Sequence, residues 1–191
     1  YTVRLNISEG ELVTFIKKNS LMVIKGESGS GKSRLLRGLV GLENVSITGS
    51  TEQILQAADI ISNKEDWIYL GATPWTLNKS LELNTTFGTQ QNILYDIEKL
   101  RLSELIQVKD IGDKVSHGQG QRISILRAKS MGYKNVILDE TLSGLDPSLF
   151  STTLNYVMQT FEKIIIVSHG HDVRLQGVQT LEVLPANGSE Q

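Results

Sequence analysis

The residues best suited to chemistry form a glycine-rich loop near the start of the chain. They read Gly26-Glu27-Ser28-Gly29-Ser30-Gly31-Lys32-Ser33 and match the pattern G-x-x-x-x-G-K-[ST]. Glycines let the backbone wrap closely around a phosphate, and the N–H groups of a following helix point at its charge. Lys32 is predicted to reach the β- and γ-phosphates of a nucleotide, and Ser33 to bind Mg²⁺. Arg34, which follows directly, completes the predicted phosphate-binding segment.

A second set of polar residues follows two apolar runs later in the chain. Asp139 and Glu140 come directly after the run 135–138, and Ser168-His169 follow the run 164–167. Open α/β sheets place such groups at the carboxyl ends of their strands. We expect Asp139 to hold Mg²⁺, mostly through water, and Glu140 to polarise an attacking water as a base or orienting acceptor. His169 is the candidate contact to the γ-phosphate or that water, and His171 competes with it.

The elements that must position these groups are strands and helices in alternation. The continuous apolar run 21–24 predicts a buried parallel strand before the loop. Helices are predicted after the loop, over about 119–131 and from Pro147 onward. Leu35, Leu36, Leu39 and Leu42 mark the first of these helices. The alternation predicts a parallel α/β core.

Two further segments carry weaker patterns. Residues 2–7 alternate in polarity and 12–16 follow a Ser-Glu-Gly turn, which predicts two strands in an edge hairpin. Residues 73–115 are predicted to be mainly helical, because the segment 91–106 places apolar residues on one helical face. These residues are Ile93, Leu94, Ile97, Leu100 and Leu105.

Bulk properties exclude several classes of protein. The 191 residues suffice for one domain, and a net charge of -2 gives no general attraction to nucleic acid. The absence of cysteine excludes disulfides and fits a reducing compartment. The longest apolar runs are far shorter than the roughly 18 residues that a membrane-spanning helix needs. Because the chain begins with Tyr1 and not Met, we expect it to be part of a longer polypeptide.

The segment 115–122 identifies a family. Val-Ser-His-Gly-Gln-Gly-Gln-Arg resembles LSGGQ and its trailing Gln-Arg, the signature of ATP-binding cassette (ABC) proteins. Ser116 precedes Asp139 by 23 residues, which is similar to the family spacing, and residues 141–146 resemble the family's D-loop. The resemblance implies a P-loop NTPase core with a parallel sheet, a small antiparallel β edge and a helical subdomain. It implies a core ATPase part over 1–72 and 116–191 and a helical subdomain over 73–115.

The resemblance also implies a mechanism. ABC domains work as head-to-tail dimers in which each MgATP lies between the phosphate loop of one subunit and the signature of the other. Ser116, Gly118 and Gln119 are then the residues that face the partner's ATP. The implied partners are a second nucleotide-binding domain, identical or different, and a transmembrane domain that is fused or separate. The implied location is the cytoplasmic face of a membrane.

Residues 74–84 resemble a stretch of exporter-type cassettes that contacts the membrane domain. Trp75 and Leu77 are the predicted apolar contacts. The alternative is that Trp75 belongs to the core of the helical subdomain. The exporter-type transport ATPase is the first functional hypothesis.

Three positions depart from the family pattern. Ala72 stands where the family has its Q-loop glutamine, His117 replaces a signature glycine, and Tyr1 is the one remote candidate for stacking on adenine. We therefore expect slow ATP hydrolysis. A regulatory cassette that binds ATP without hydrolysing it is the main alternative. A soluble ABC ATPase acting on DNA or ribosomes and a P-loop kinase are less favoured.

Overall fold

The computed structural model describes residues 1–18, 20–51, 53–167 and 178–185. Within these ranges, eight strands form one mostly parallel sheet in the order β4-β3-β1-β8-β2-β7-β6-β5. Their bounds are Thr2–Leu5 (β1), Leu21–Lys25 (β2), Ser46–Thr48 (β3), Ile54–Gln56 (β4), Trp67–Leu70 (β5), Asn135–Asp139 (β6), Lys163–Val167 (β7) and Gln179–Leu184 (β8).

Six α-helices connect these strands within the described ranges. Their bounds are Glu9–Lys18 (α1), Lys32–Leu39 (α2), Leu81–Thr86 (α3), Leu94–Lys99 (α4), His117–Ser130 (α5) and Pro147–Thr160 (α6). Short 3₁₀ turns lie at Ala57–Asp59, Lys64–Asp66, Ser103–Leu105 and Gly112–Lys114. None of the helices in the described ranges is both long enough and apolar enough to span a bilayer.

The central strands are apolar throughout because helices cover both faces of the sheet. In β2, Leu21 and Val23 join a core cluster that contains residues of α5 and α6. Met22 and Ile24 point the other way, into a cluster with residues of α1 and α2. Strands β2, β7, β6 and β5 are parallel neighbours, so their carboxyl ends meet at one edge. The predicted α/β class with a parallel core is confirmed.

The predicted strand over residues 12–16 is wrong, since this segment lies in helix α1. Ser8 caps the helix: its Oγ accepts from the Glu11 N–H at 3.3 Å, and Glu11 Oε2 accepts from the Ser8 N–H at 2.8 Å. Leu12 and Ile16, one helical turn apart, are both buried. The capping box and this i, i+4 burial outweigh the β-branched composition of the segment.

The predicted hairpin is therefore also absent, and β1 has other neighbours. It pairs in parallel with β3 and antiparallel with β8. Strands β3 and β4 are antiparallel at the end of the sheet. The antiparallel β edge exists, but strands other than the predicted pair form it.

Helices in the 73–115 segment are shorter than the sequence predicts. Of the residues on the predicted apolar face, Ile93, Ile97 and Leu100 are buried, whereas Leu94 is 62% exposed. Helix α4 covers only six residues because the chain turns at Arg101, which has a positive φ of 50°. Leu42 likewise lies beyond the end of α2 and is exposed.

Candidate functional site

The phosphate loop links β2 to α2 through backbone conformations that favour glycine. Gly26, Gly29 and Gly31 have φ values of 146°, 81° and 101°. A Cβ on Gly26 would lie 2.5 Å from the carbonyl oxygen of Val183 and 2.8 Å from Ser30 Oγ. The loop therefore excludes a side chain at this position.

The Lys32 side chain lies inside the loop. Its Nζ donates to the carbonyl oxygens of Gly26 at 2.8 Å and Glu27 at 2.7 Å, and the residue is buried. Ser30 Oγ is buried without a hydrogen-bond partner in the described structure. A buried ammonium and an unpaired hydroxyl favour an anion, because the loop alone does not satisfy their donor groups.

An open cavity of about 500 Å³ brings seven of the predicted residues together. Its lining includes the predicted residues Ser28, Gly29, Gly31, Lys32, Ser33, Arg34 and Glu140. Tyr1 and Arg37 also line it, and the Arg34 guanidinium lies 4.1 Å from the centre of the Tyr1 ring. The lining joins cationic and hydroxyl side chains to one carboxylate, which suits a polyphosphate and a reacting water.

Glu140 is held in an uncommon backbone conformation directly after β6. Its φ is 57°, in the left-handed region. Its N–H donates to Val167 O at 3.1 Å, and its carbonyl accepts from Ser143 Oγ at 2.7 Å. Non-glycine residues with positive φ persist where the surroundings impose it, and they cluster at functional sites.

Asp139 ends β6 and is buried. Its Oδ2 accepts a 2.5 Å hydrogen bond from the Tyr69 hydroxyl, whereas its Oδ1 has no partner among the described residues. Burial, and then the hydrogen bond to Asp139, raise the pKa of Tyr69 to about 12. The tyrosine therefore stays protonated near neutral pH and donates. An unpaired oxygen on a buried carboxylate suits a metal ion or its bound water.

Tyr69 is a site residue that sequence reasoning missed. It lies in β5, which the sequence does not predict, and β5 runs parallel to β6 in register. The signal that could have found it is a tyrosine in an apolar run, two positions before the glycine at 71. His169 and its competitor His171 lie outside the described residues.

The signature segment begins α5. Ser116 is the N-cap: its Oγ accepts from the Gln119 N–H at 3.2 Å, and Gln119 Oε1 accepts from the Ser116 N–H at 2.8 Å. Ser116 is exposed, and Gly118 and Gln119 are half-buried. A Cβ on Gly118 would meet Leu145 at 2.9 Å, so the D-loop-like segment packs against this helix. None of these three predicted residues is among those that line the phosphate cavity in the described structure.

The family model for ABC transporters matches residues 6–143. The chain belongs to the ABC transporter family.

Several curated relatives of this ABC domain have names that describe ATP binding and transport. It is 28% identical to the Fe(3+) ions import ATP-binding protein FbpC of Mannheimia succiniciproducens, over 83% of the chain and 48% of that protein. It is 29% identical to the ABC transporter ATP-binding protein/permease VMR1 of Saccharomyces cerevisiae, over 86% of the chain and 12% of that protein. It is 30% identical to the probable sulfate/thiosulfate import ATP-binding protein CysA of Chlorella vulgaris, over 91% of the chain and 78% of that protein.

These comparisons confirm the predicted ABC nucleotide-binding domain, a type of domain that is an ATPase coupled to transport. Such domains bind ATP, typically with Mg²⁺, and generally work as dimers with transmembrane domains. The chain spans about half the length of FbpC and about an eighth of VMR1. Proteins named for import are among the relatives, so the exporter type stays a proposal.

Two of the three departures of this ABC domain from the family pattern, Ala72 and His117, lie close together. Nε2 of His117 lies 3.0 Å from Nε2 of Gln121, which is also 3.5 Å from the carbonyl oxygen of Ala72. The Cβ of a residue at Gly144 would be 3.3 Å from the His117 ring. One glutamine thus connects the Q-loop position to the signature histidine.

The ABC domain also exposes an aromatic surface beside α3 and α5. Trp75 is 54% exposed and its ring stacks on Phe87 with centroids 6.2 Å apart. The Arg127 guanidinium lies over the Trp75 ring, with its Cζ 3.7 Å from the ring centroid. Leu77 is 39% exposed. Trp75 is therefore a surface residue, and the alternative that it lies in a subdomain core is wrong.

Proposed function

We propose that this chain is the motor domain of an ABC transporter and that it binds and hydrolyses MgATP. The observation that carries the proposal is the phosphate cavity, where Lys32 and Ser33 face the same space as Glu140. A phosphate-binding group and a carboxylate at one cavity are what hydrolysis of a phosphoanhydride requires. A phosphate loop without the carboxylate, or a carboxylate without the loop, would support binding of a ligand but not its hydrolysis.

The residues have distinct roles in this reaction. The backbone of residues 26–34 surrounds the β- and γ-phosphates, and Lys32 transfers its hydrogen bonds from the loop carbonyls to phosphate oxygens. Tyr1 offers a ring face to the adenine. Ser33 Oγ and Asp139 Oδ1, the latter mostly through water, would hold Mg²⁺, and the bound ion would neutralise charge on the phosphate oxygens.

Glu140 acts on the water that attacks the γ-phosphorus. Its carboxylate accepts a hydrogen bond from that water and orients it. The new P–O bond forms as the bond to the β–γ bridging oxygen breaks, and ADP and inorganic phosphate leave. His169 remains the proposed second contact to the γ-phosphate.

A second copy or a homologous domain completes the site. Ser116 lies at the exposed N-terminus of α5, and its hydroxyl hydrogen can donate to a partner's γ-phosphate. Gly118 and Gln119 contribute to the same face. ATP then holds the two domains together, and hydrolysis removes this bridging charge so that they separate.

The aromatic surface around Trp75 and Leu77 is the proposed contact for a transmembrane domain at the cytoplasmic face of a membrane. Its exposure supports this role, as does the resemblance of residues 74–84 to exporter-type cassettes. We accordingly place the helical subdomain at 73–115 and the core at 1–72 and 116–191. In the complete transporter, Trp75→Ala is expected to reduce transport and leave nucleotide affinity unchanged.

A regulatory cassette is the second candidate, because of Ala72. A methyl side chain has no oxygen for Mg²⁺ or water. The Ala72 backbone carbonyl accepts instead from Gln121 Nε2 at 3.5 Å. In that role the chain binds ATP and dimerises, and a competent partner domain hydrolyses.

ATP turnover decides between the two candidates. The purified chain is compared with its Glu140→Gln variant in MgATP, and phosphate release is measured at protein concentrations that permit dimerisation. The motor proposal predicts turnover in the wild type and at least about 10-fold less in the variant. The variant should also elute as an ATP-dependent dimer. Equal rates would leave the regulatory role, and no ATP binding by either protein would eliminate both.

A further inference from the structure

Asp139 has two carboxylate oxygens in different states. Oδ2 accepts the hydrogen bond of the Tyr69 hydroxyl at 2.5 Å. Oδ1 is fully buried and has no partner in the described part of the chain. An unsatisfied oxygen on a buried carboxylate costs free energy, so its persistence indicates that a ligand pairs with it.

Tyr69 reaches this carboxylate from the neighbouring strand. Strands β5 and β6 pair in parallel with Tyr69 beside Ile137, two residues before Asp139. The long phenol spans that offset, and its ring edge lies 3.5 Å from where a Gly71 Cβ would be. The ring therefore packs beside Gly71 at an ordinary van der Waals distance.

A cation of α2 also acts on the Tyr69 hydroxyl. The charge of Arg37 opposes the rise that burial and Asp139 cause in the pKa of Tyr69. The Arg37 Nε donates to Glu43 Oε1 at 2.7 Å, and Arg37 lines the phosphate cavity. The Tyr69 hydroxyl is thus influenced by a cation of the cavity wall and bonded to the carboxylate at the end of β6.

We propose that Tyr69 is a positioning residue for the metal ion: its hydroxyl holds Oδ2 of Asp139 so that Oδ1 is the oxygen presented to Mg²⁺ or its bound water. This inference rests on the proposed MgATP site and adds a residue to it. Without the hydroxyl, the carboxylate can rotate and share its charge between both oxygens. Outer-sphere hydrogen bonds of this kind orient metal ligands, and their loss typically costs about 10- to 100-fold in metal affinity.

The test removes one oxygen atom. Tyr69→Phe keeps the ring, and Tyr156→Phe is the matched control, since the Tyr156 hydroxyl also donates to a buried carboxylate, Asp96, at 3.0 Å. Two quantities are measured for each protein. One is the affinity for trinitrophenyl-ATP in EDTA, and the other is the Mn²⁺ concentration that half-saturates the protein–ATP complex, followed by electron paramagnetic resonance of bound Mn²⁺.

We expect Tyr69→Phe to raise the half-saturating Mn²⁺ concentration about 10-fold or more. Its nucleotide affinity in EDTA should stay within about twofold of the wild type, because Asp139 is presented to the metal and not to the phosphates. Tyr156→Phe should change neither quantity, although both variants lose some stability to urea. If Tyr69→Phe does not fold, Tyr69→Met gives the same comparison with a flexible apolar side chain.

Three distinguishable results would overturn the inference. If the wild type binds the nucleotide and Mn²⁺ but Tyr69→Phe matches Tyr156→Phe in metal affinity, Tyr69 is a structural residue only. If the wild type binds no nucleotide at all, the proposed MgATP site fails, and the positioning role fails with it. A loss of nucleotide affinity in EDTA by Tyr69→Phe would likewise contradict an effect through the metal.

Discussion

The His117 ring folds back onto its own helix, where its Nε2 lies 3.0 Å from Nε2 of Gln121. Because an amide NH₂ only donates, the ring nitrogen accepts in this arrangement. The ring also lies against Gly144 in the segment after Glu140. The position that is glycine in the family signature therefore carries a side chain directed towards residues of its own subunit.

Replacing His117 by glycine is expected to accelerate ATP turnover. The His117 side chain contacts its own subunit but remains exposed. In the proposed dimer it therefore still adds bulk, beside the partner's ATP, that a glycine would not. We expect turnover to rise about 10-fold, which corresponds to about 1.4 kcal/mol of activation free energy. His117→Ala removes the imidazole without adding the backbone freedom of glycine. It should therefore show most of the same gain in turnover. Slower turnover in both variants would mean that the imidazole itself assists the reaction.

The sequence predicts the site better than it predicts the edges of the fold. Strands β2, β6 and β7 are continuous apolar runs, so the loop at Gly26 and the carboxylate at Asp139 follow from their positions. By contrast, β3 and β4 have three residues each, too few for a periodic pattern.

Two errors have specific physical causes. Residues 12–16 look like a strand by composition, and only the Ser8–Glu11 capping box indicates the helix. The role of Tyr69 depends on β5 lying beside β6, a non-local pairing that no local pattern encodes.

The phosphate loop allows a matched pair of glycine substitutions. Both Gly26 and Gly29 have positive φ, but a Cβ at Gly29 meets nothing within 4 Å whereas one at Gly26 meets Val183 O at 2.5 Å. Gly29→Ala should lower the free energy of unfolding by about 1–2 kcal/mol from backbone strain alone. Gly26→Ala should cost a further 1–3 kcal/mol, roughly the penalty of overpacking, and weaken nucleotide binding. Urea denaturation measures the stability of the two variants, and ATP titration measures their nucleotide affinity. Equal losses in Gly26→Ala and Gly29→Ala would contradict the close approach of position 26 to Val183 O.

The capping box of α1 predicts a pH-dependent loss of stability. Hydrogen bonds from Ser8 lower the pKa of Glu11 below its ordinary 4.5. A carboxyl whose folded-state pKa is depressed stabilises the fold above the unfolded pKa, and this contribution is lost as pH falls through the folded value. Ser8→Ala also removes the side-chain N-cap of α1, a loss that should cost about 1 kcal/mol at pH 7. The difference from the wild type should shrink as the pH falls below 4.5.

Ser151→Ala is the control for this measurement. Ser151 is also exposed, and its Oγ donates to Pro147 O at 3.0 Å without capping a helix or contacting a carboxylate. Ser151→Ala should change the free energy of unfolding by no more than about 0.5 kcal/mol, and this change should not vary with pH. A Ser8→Ala difference that is constant from pH 7 to pH 3 would show that the hydrogen bond from the Ser8 hydroxyl to Glu11 Oε2 adds nothing to the cap.

The aromatic surface is predicted to depend on the shape of the Arg127 guanidinium. Its Nε donates to Asn84 O at 2.7 Å and its terminal nitrogen to Trp75 O at 3.2 Å, while its plane covers the Trp75 ring. Burial lowers the pKa of Arg127 to about 10, so the side chain is still charged at pH 7. Lysine keeps this charge but cannot make both hydrogen bonds and stack. Arg127→Lys should lower the free energy of unfolding by about 2 kcal/mol, and the exposed Arg4→Lys control by less than about 0.5 kcal/mol, in urea denaturation. Equal small losses would show that charge alone, and not the planar fork, supports Trp75.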